Sequence, residues 1–360
     1  MLQINIHSIE NIVVKEQSTI RDVISVLNQT GYQIVLVVNL RGELIGTVTD
    51  GDIRRSLLRG ISLEQKAVDI ANLKPKFVFK ETGVSEIKKM FLDFGIKRIP
   101  IVNEKRIPEG IYFIEDFIDG KEILKPKYSN TIVIMAGGRG TRLDPLTRII
   151  PKPLVPIGDK TMIERIMERF YEEGFSRFIV TVNYKKEMMS LYLKGLNVPY
   201  EIHIFDEGNS FLGTAGALGL LMGDEKLTDP FILTNCDVFI KVDLSDVLDF
   251  HTKKKSDITV VGALTNMEVP YGIMRLNQEG EMVEFHEKPS YDFIINTGIY
   301  IISKKALKYI KSGEVLDMPE LLNRVKQNEG KVLVYPVHTE FLDIGQWEIY
   351  RKSLEKLQSI

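Results

Sequence analysis

From Thr131 onward, short apolar runs alternate with stretches of helical periodicity. TIVIMA, FIVTVN, YEIHIF, PFILTNCDVFI and DITVVGAL read as strands. TMIERIMERFYEEG, KKEMMSLYLKG, TAGALGLLMG and DLSDVLDFHTKK read as helices, the first opened by Thr161 and Glu164 at capping-box spacing. This alternation predicts an α/β fold, a Rossmann-like, mostly parallel sheet covered on both faces. Ligands of such sheets bind beyond the carboxyl ends of the strands, where TIVIMA runs into glycines.

The first third has a different pattern, and it repeats. Residues 13–57 and 78–118 each read as strand, helix, strand, turn, strand, helix. Lys15 corresponds to Lys80, Asn39 to Asn103, Gly46 to Gly110 and Asp52 to Asp116, at an offset of 64 or 65. Val23 and Leu27 share one helical face in the first copy, as Ile87 and Phe91 do in the second. The period is too long for the common solenoids, so two copies packed on each other are expected. KEILKPKYSN, Lys121 to Asn130, is charged and aperiodic and reads as the linker. The expected division is 1–124 (copies 1–64 and 65–124), a linker over 125–130, and 131–360.

Chemistry concentrates after TIVIMA. AGGRGTRLDPLT lacks the third glycine of a dinucleotide fingerprint and the G-K-[ST] ending of a P-loop. Gly137, Gly138 and Gly140 nonetheless let backbone N–H groups approach an anion, and Arg142 adds a planar fork for phosphate oxygens. In PKPLVPI, Pro151 and Pro153 hold Lys152 on a stiff, extended segment, suited to preorganised phosphate stabilisation. Arg139 and Arg148 read as solvent-facing.

The totals exclude some classes. With 47 basic and 49 acidic residues among 360, nothing global points to nucleic acid or an anionic membrane. One cysteine, Cys236, allows no intrachain disulfide and suits a reducing cytoplasm. No apolar run reaches spanning length, and no signal peptide is expected. None of the five histidines has metal-ligand spacing, and Cys236 reads as core.

AGGRGTRLDPLT and PKPLVPI, followed by LGTAGAL, NCDV, YGI, FHEKP, INTGIYI and FLDIGQ, resemble the sugar-1-phosphate nucleotidyltransferases over the last two thirds of the chain. The resemblance implies transfer of a nucleotidyl group from an NTP to a sugar-1-phosphate. It implies Mg²⁺ on Asp237 and Asp343, Arg142 on the departing pyrophosphate and Lys152 on the phosphate under attack. Ala136, Gly137, Gly138, Gly140, Gly213 and Thr214 would hold the nucleotide. Gly272, Glu287, Lys288 and Asn296 would hold the sugar phosphate; without the resemblance, Glu287 and Lys288 read as a solvated strand end. Upstream of LGTAGAL, Glu207 is a candidate reader of the guanine N1–H and N2–H₂ donors, or an exposed loop acid; uracil or thymine would suit an amide reader.

GTVTDGDIRR, Gly46 to Arg55, resembles the CBS domains, which implies a tandem pair with a βαββα plan. There Thr49, Asp52 and Asp116 would contact a regulatory nucleotide, and the pair would support a homodimer. Thr49 and Asp52 equally read as caps of a helix beginning at Ile53, and the second copy has Phe113 where the first has Thr49. The combination resembles the bacterial glucosamine-1-phosphate guanylyltransferases of the legionaminic acid route, and so implies GTP and glucosamine-1-phosphate. Mannose-1-phosphate guanylyltransferase, or another NDP-sugar pyrophosphorylase, is the competing activity. A nucleotide-sensing protein with a degenerate transferase domain is the competing class; the retained Lys152, Asp237 and Asp343 argue against it.

Overall fold

The computed structural model describes residues 5–117, 127–339, 341–345 and 347–351. The chain divides into two compact units, Met1–Leu124 and Lys125–Ile360. The linker expected over Lys121–Asn130 lies largely outside the described residues.

In the first unit, each copy of the repeat builds a three-stranded sheet. Val13–Lys15 pairs parallel to Ile34–Val38, which pairs antiparallel to Leu44–Thr49. Val78–Phe79, Arg98–Val102 and Pro108–Phe113 repeat that arrangement, with the register shift at the equivalent place. The shared asparagines explain the shared turn. Asn39 Oδ1 accepts from the Arg41 and Glu43 amides at 2.9 and 3.0 Å, and Asn103 Oδ1 from those of Lys105 and Ile107, both at 3.0 Å. Helices Ile20–Thr30 and Val84–Phe94 bury Val23, Leu27, Ile87 and Phe91, and each ends on a left-handed glycine, Gly31 or Gly95. The helix after Thr49 begins at Asp50, not at Ile53: Asp52 at its third position closes a capping box on Thr49. The second copy has a 3₁₀ turn, Ile114–Asp116, where a helix was expected, and the rest of that stretch lies outside the described residues.

The second unit is built on a seven-stranded sheet. Its order is Glu201–Asp206, Arg177–Val182, Ile132–Met135, Phe231–Asn235, Ser290–Ile302, Ile258–Glu268, Val332–Val337. Only Ser290–Ile302 runs against its neighbours; every other pairing is parallel. The alternation along each strand fills two cores. Ile132, Ile134, Phe178 and Ile232 enter one, while Val133, Ile179, Phe231 and Leu233 enter the other. Burying both faces is what makes these strands read as continuous apolar runs. Chain order reverses between Ile132–Met135 and Phe231–Asn235, so a crevice opens at their carboxyl ends.

Two expectations are corrected here. PFILTNCDVFI is not one strand: Phe231–Asn235 belongs to the large sheet, and Val238–Ile240 leaves it to pair antiparallel with Phe341–Asp343. Lys152 is not on an extended arm but opens a 3₁₀ turn, Lys152–Leu154, after an extended Pro151.

Candidate active site

The break after Asn235 places Asp237 in the crevice. Its backbone carbonyl accepts from the Ile344 amide at 3.0 Å, and Val238 lies opposite Asp343 in the short antiparallel ladder. That pairing brings together two aspartates more than a hundred residues apart in sequence. Gly345 completes the contact: its amide donates to Asp343 Oδ1 at 2.9 Å. A side-chain carbon built on Gly345 would lie 2.5 Å from Asp237 Oδ2, 2.8 Å from Asp343 Oδ1 and 2.8 Å from Lys152 Nζ.

Two cations face the pair. Lys152 Nζ donates to Asp237 Oδ2, with both side chains largely buried. Arg142 reaches Asp343 Oδ2 at 3.2 Å and Asp237 Oδ2 at 3.8 Å while its guanidinium stays mostly in solvent. Gly140 makes this possible: at φ +67° it turns the loop, and a Cβ there would sit 2.7 Å from Lys152 Cβ. Trp347 Nε1 donates to the Asp144 carbonyl at 2.7 Å, tying the segment after Gly345 to the same loop.

Burial pushes the Asp237 carboxyl up, against the attraction of Lys152. Burial also opposes ionisation of Asp343. There the hydrogen bond with Asp237, the Gly345 amide, and the charges of Arg142 and Lys152 win, and its carboxyl is held down. Two adjacent, desolvated carboxyls resist joint ionisation, and a divalent cation relieves that strain. Among the described residues no third His, Cys, Asp or Glu joins them. Two carboxylates with the remaining positions left to water and phosphate oxygens fit Mg²⁺ better than an all-protein cage would.

The crevice has two lobes. One, of about 380 Å³, is lined by Gly137, Gly138, Gly140, Glu207, Gly213 and other residues. The other, of about 330 Å³, is lined by Asn296, Gly298, Tyr300, Phe341, Asp343 and other residues. Arg142, Thr214, Asn235, Asp237 and Asp317 line both. Ala136 lies buried behind the glycine loop, its amide donating to the Thr181 carbonyl at 3.1 Å.

Glu207 lies in the first lobe rather than on an exposed loop. Its carboxylate abuts Gly137, where a Cβ would be 2.7 Å from Oε1. Burial pushes the Glu207 carboxyl up, opposed by hydrogen bonds with Thr181 and Asn183. Asn296 is positioned in the second lobe by a 2.7 Å bond to the Tyr300 hydroxyl.

Three proposed sugar-site residues are not brought to the crevice. Gly272, Glu287 and Lys288 flank an exposed hairpin of Ile273–Leu276 and Met282–His286. Gly272 and Glu287 meet each other there, with 2.9 Å from a Cβ at Gly272 to Glu287 Oε2. Arg139 is not merely solvated: its guanidinium lies 4.6 Å from the centroid of the ring of Phe211, a residue that lines the first lobe. Arg148 has the bland role, an exposed pair with Asp144. Cys236 is buried core, its thiol pushed up to about 12 by burial. Sequence reasoning missed Asn235 and Asp317, because a strand-end amide and a helix-head acid are ordinary features.

In the first unit, Thr49 donates through its amide and hydroxyl to Asp52 Oδ2 at 2.9 and 2.7 Å, and Asp52 also holds Arg55. Asp116 meets something else. His7 Nε2 lies 2.7 Å from Asp116 Oδ2, and the His7 ring stacks on Phe113 at 3.9 Å. The Arg98 guanidinium lies 4.0 Å from the Phe113 centroid. His7 therefore holds the carboxylate that corresponds to Asp52 in the repeat.

A family model described as nucleotidyl transferase matches residues 131–359. The chain belongs to the nucleotidyl transferase family. A CBS domain model matches residues 5–59. A probable mannose-1-phosphate guanylyltransferase of Oryza sativa subsp. japonica is 33% identical over 224 residues, 59% of this chain and 61% of that protein. A UTP–glucose-1-phosphate uridylyltransferase of a Synechocystis strain is 29% identical over 245 residues, 62% of this chain and 63% of that protein. The chain thus spans about six tenths of the length of the curated relatives it matches. Among solved structures, HddC from Yersinia pseudotuberculosis complexed with GMP-PN aligns at 27% identity with a TM-score of 0.50. That match covers 63% of this chain and 99% of HddC. No helix among the described residues is long and apolar enough to cross a membrane.

Proposed function

We propose that this protein joins a nucleotidyl group from GTP to a sugar-1-phosphate, releasing pyrophosphate. The observation that carries the reading is the meeting of Arg142, Lys152, Asp237 and Asp343 where the two lobes of the crevice join, Arg142 and Asp237 lining both. In the reaction, an oxygen of the sugar phosphate bonds to the α-phosphorus, and the bond to the bridging oxygen of the β-phosphate breaks. Both partners are polyanions, so charge neutralisation is the main demand on the protein. Asp237 and Asp343 would hold Mg²⁺, which supplies Lewis-acid neutralisation of phosphate charge. Lys152, already oriented by Asp237, stabilises the phosphate under attack. Arg142, largely exposed, is placed to hold the departing pyrophosphate. The glycine loop contributes backbone N–H groups without steric cost.

Guanine is favoured by the position of the Glu207 carboxylate in the nucleotide lobe and by the guanylyltransferase and GMP-PN-bound relatives. The repeat unit in front supports glucosamine-1-phosphate as the acceptor and the legionaminic acid route as the setting, in the cytoplasm. Mannose-1-phosphate is the rival acceptor. The repeat unit would then serve as a tandem CBS pair, with Thr49 and Asp52 as its nucleotide-facing residues and dimerisation as a further role.

A matrix of four NTPs against glucose-, glucosamine- and mannose-1-phosphate, read by pyrophosphate release, tests this. GTP with glucosamine-1-phosphate is expected to lead. Glu207→Gln is expected to lower kcat/KM with GTP about 10- to 100-fold and that with UTP far less, as for loss of a charged hydrogen bond. Preference for UTP in the unmodified protein would overturn the base assignment.

A further inference from the structure

Asp317 stands at the head of the helix Met318–Gln327, yet its side chain makes no capping hydrogen bond to that helix. It lines both lobes of the crevice, on the same wall as Asp237 and Arg142. Its position is built rather than incidental. The Leu316 amide donates to the Leu212 carbonyl at 2.8 Å, and the Ala215 and Gly216 amides both donate to the Leu316 carbonyl at 2.9 Å. Three backbone bonds therefore fasten the residue before Asp317 to the turn that carries Gly213 and Thr214. Gly213, at φ +73°, leaves the room: a Cβ there would lie 2.6 Å from Asp317 Oδ1.

A carboxylate on the wall of a crevice for two polyanions is an electrostatic oddity. It is not a third ligand of the cation site, because no cluster of three acidic or metal-binding side chains exists among the described residues. Beside phosphates it would only repel. The uncharged donors at the junction of a nucleotide and a sugar phosphate are hydroxyl groups, and an ionised carboxylate accepts from a hydroxyl strongly.

The geometry points to Asp317 as a specificity residue that accepts a hydrogen bond from a substrate hydroxyl, of the nucleotide ribose or of the sugar ring. This rests on the nucleotidyl-transfer reading. Either hydroxyl belongs to the ring that carries the reacting phosphate, so the contact sets alignment for attack as well as affinity.

The experiment compares the full-length protein with Asp317→Ala and Asp317→Asn; the asparagine keeps a good helix-heading residue. Each is assayed with GTP, 2′-deoxy-GTP and 3′-deoxy-GTP, and with glucosamine-1-phosphate against its 3-deoxy, 4-deoxy and 6-deoxy analogues. Asp317→Ala is expected to lower kcat/KM for the full substrates about 10- to 100-fold. It is expected to cost nothing further with the one analogue that lacks the bound hydroxyl, which names the source. An equal fall on every substrate would mark Asp317 as structural and overturn the inference, as would no fall at all. Calorimetric titration of the same variants with GTP and with each sugar phosphate gives the readout without turnover. If the unmodified protein binds them but releases no pyrophosphate, the proposed reaction fails, and the analogue pattern in binding still decides Asp317. If it binds none of them, both fall.

Discussion

Two pairs of aspartates behave oppositely. Asp52 and Asp116 are equivalent by the internal repeat, yet Asp52 closes a capping box on Thr49 while Asp116 is taken by His7 beneath a stacked ring. Asp237 and Asp343 have no repeat relation and lie on different strands, yet they share one environment: each other, Lys152, Arg142 and the Gly345 amide. Equivalence in sequence sets the strand pairing and its register shift. What a carboxylate meets is decided by whichever distant segment arrives, and here the arrivals are His7 in one unit and Phe341–Asp343 in the other.

The largest effect expected from breaking this comparison is at Asp237. Asp237→Asn should keep far-UV circular dichroism but lower pyrophosphate release about 10²- to 10³-fold, the scale of several kcal/mol of electrostatic stabilisation. Near-normal turnover would remove the cation site. In the repeat unit the effects are local and smaller. His7→Ala should cost about 1–2 kcal/mol through the lost ring stacking and charged hydrogen bond. It would be read as faster hydrogen exchange at the Ile111 amide, which donates to the His7 carbonyl at 3.2 Å. Unchanged exchange there would mean that His7 does not hold the segment down. Smallest is Thr49→Ala, expected to cost about 1 kcal/mol through the lost cap, seen as fraying of Asp50–Leu58. A loss well above that would show that Thr49 carries more than the helix end.

Much of the second unit was legible because burial on both faces forces apolar runs, and because glycine and proline motifs mark loops. Ser290–Ile302 was less legible: its antiparallel direction follows from what lies beside it, not from its own residues. The break at Cys236 and Asp237 was hidden for a related reason, since Val238 and Ile240 are as apolar as Phe231 and Leu233 and differ only in their partner strand. The loop cations and both aspartates proposed to hold a metal stood out through their motifs. Asp317 did not, since an acid at the head of a helix is the most ordinary of placements. The stacking of His7 on Phe113 joins residues 106 apart, a contact that leaves no periodic trace.

Gly345 has a consequence of its own. A side-chain carbon there would press at once on two acids and an amine. One methyl group at that position would therefore force the three ionic groups apart while leaving every charge in place.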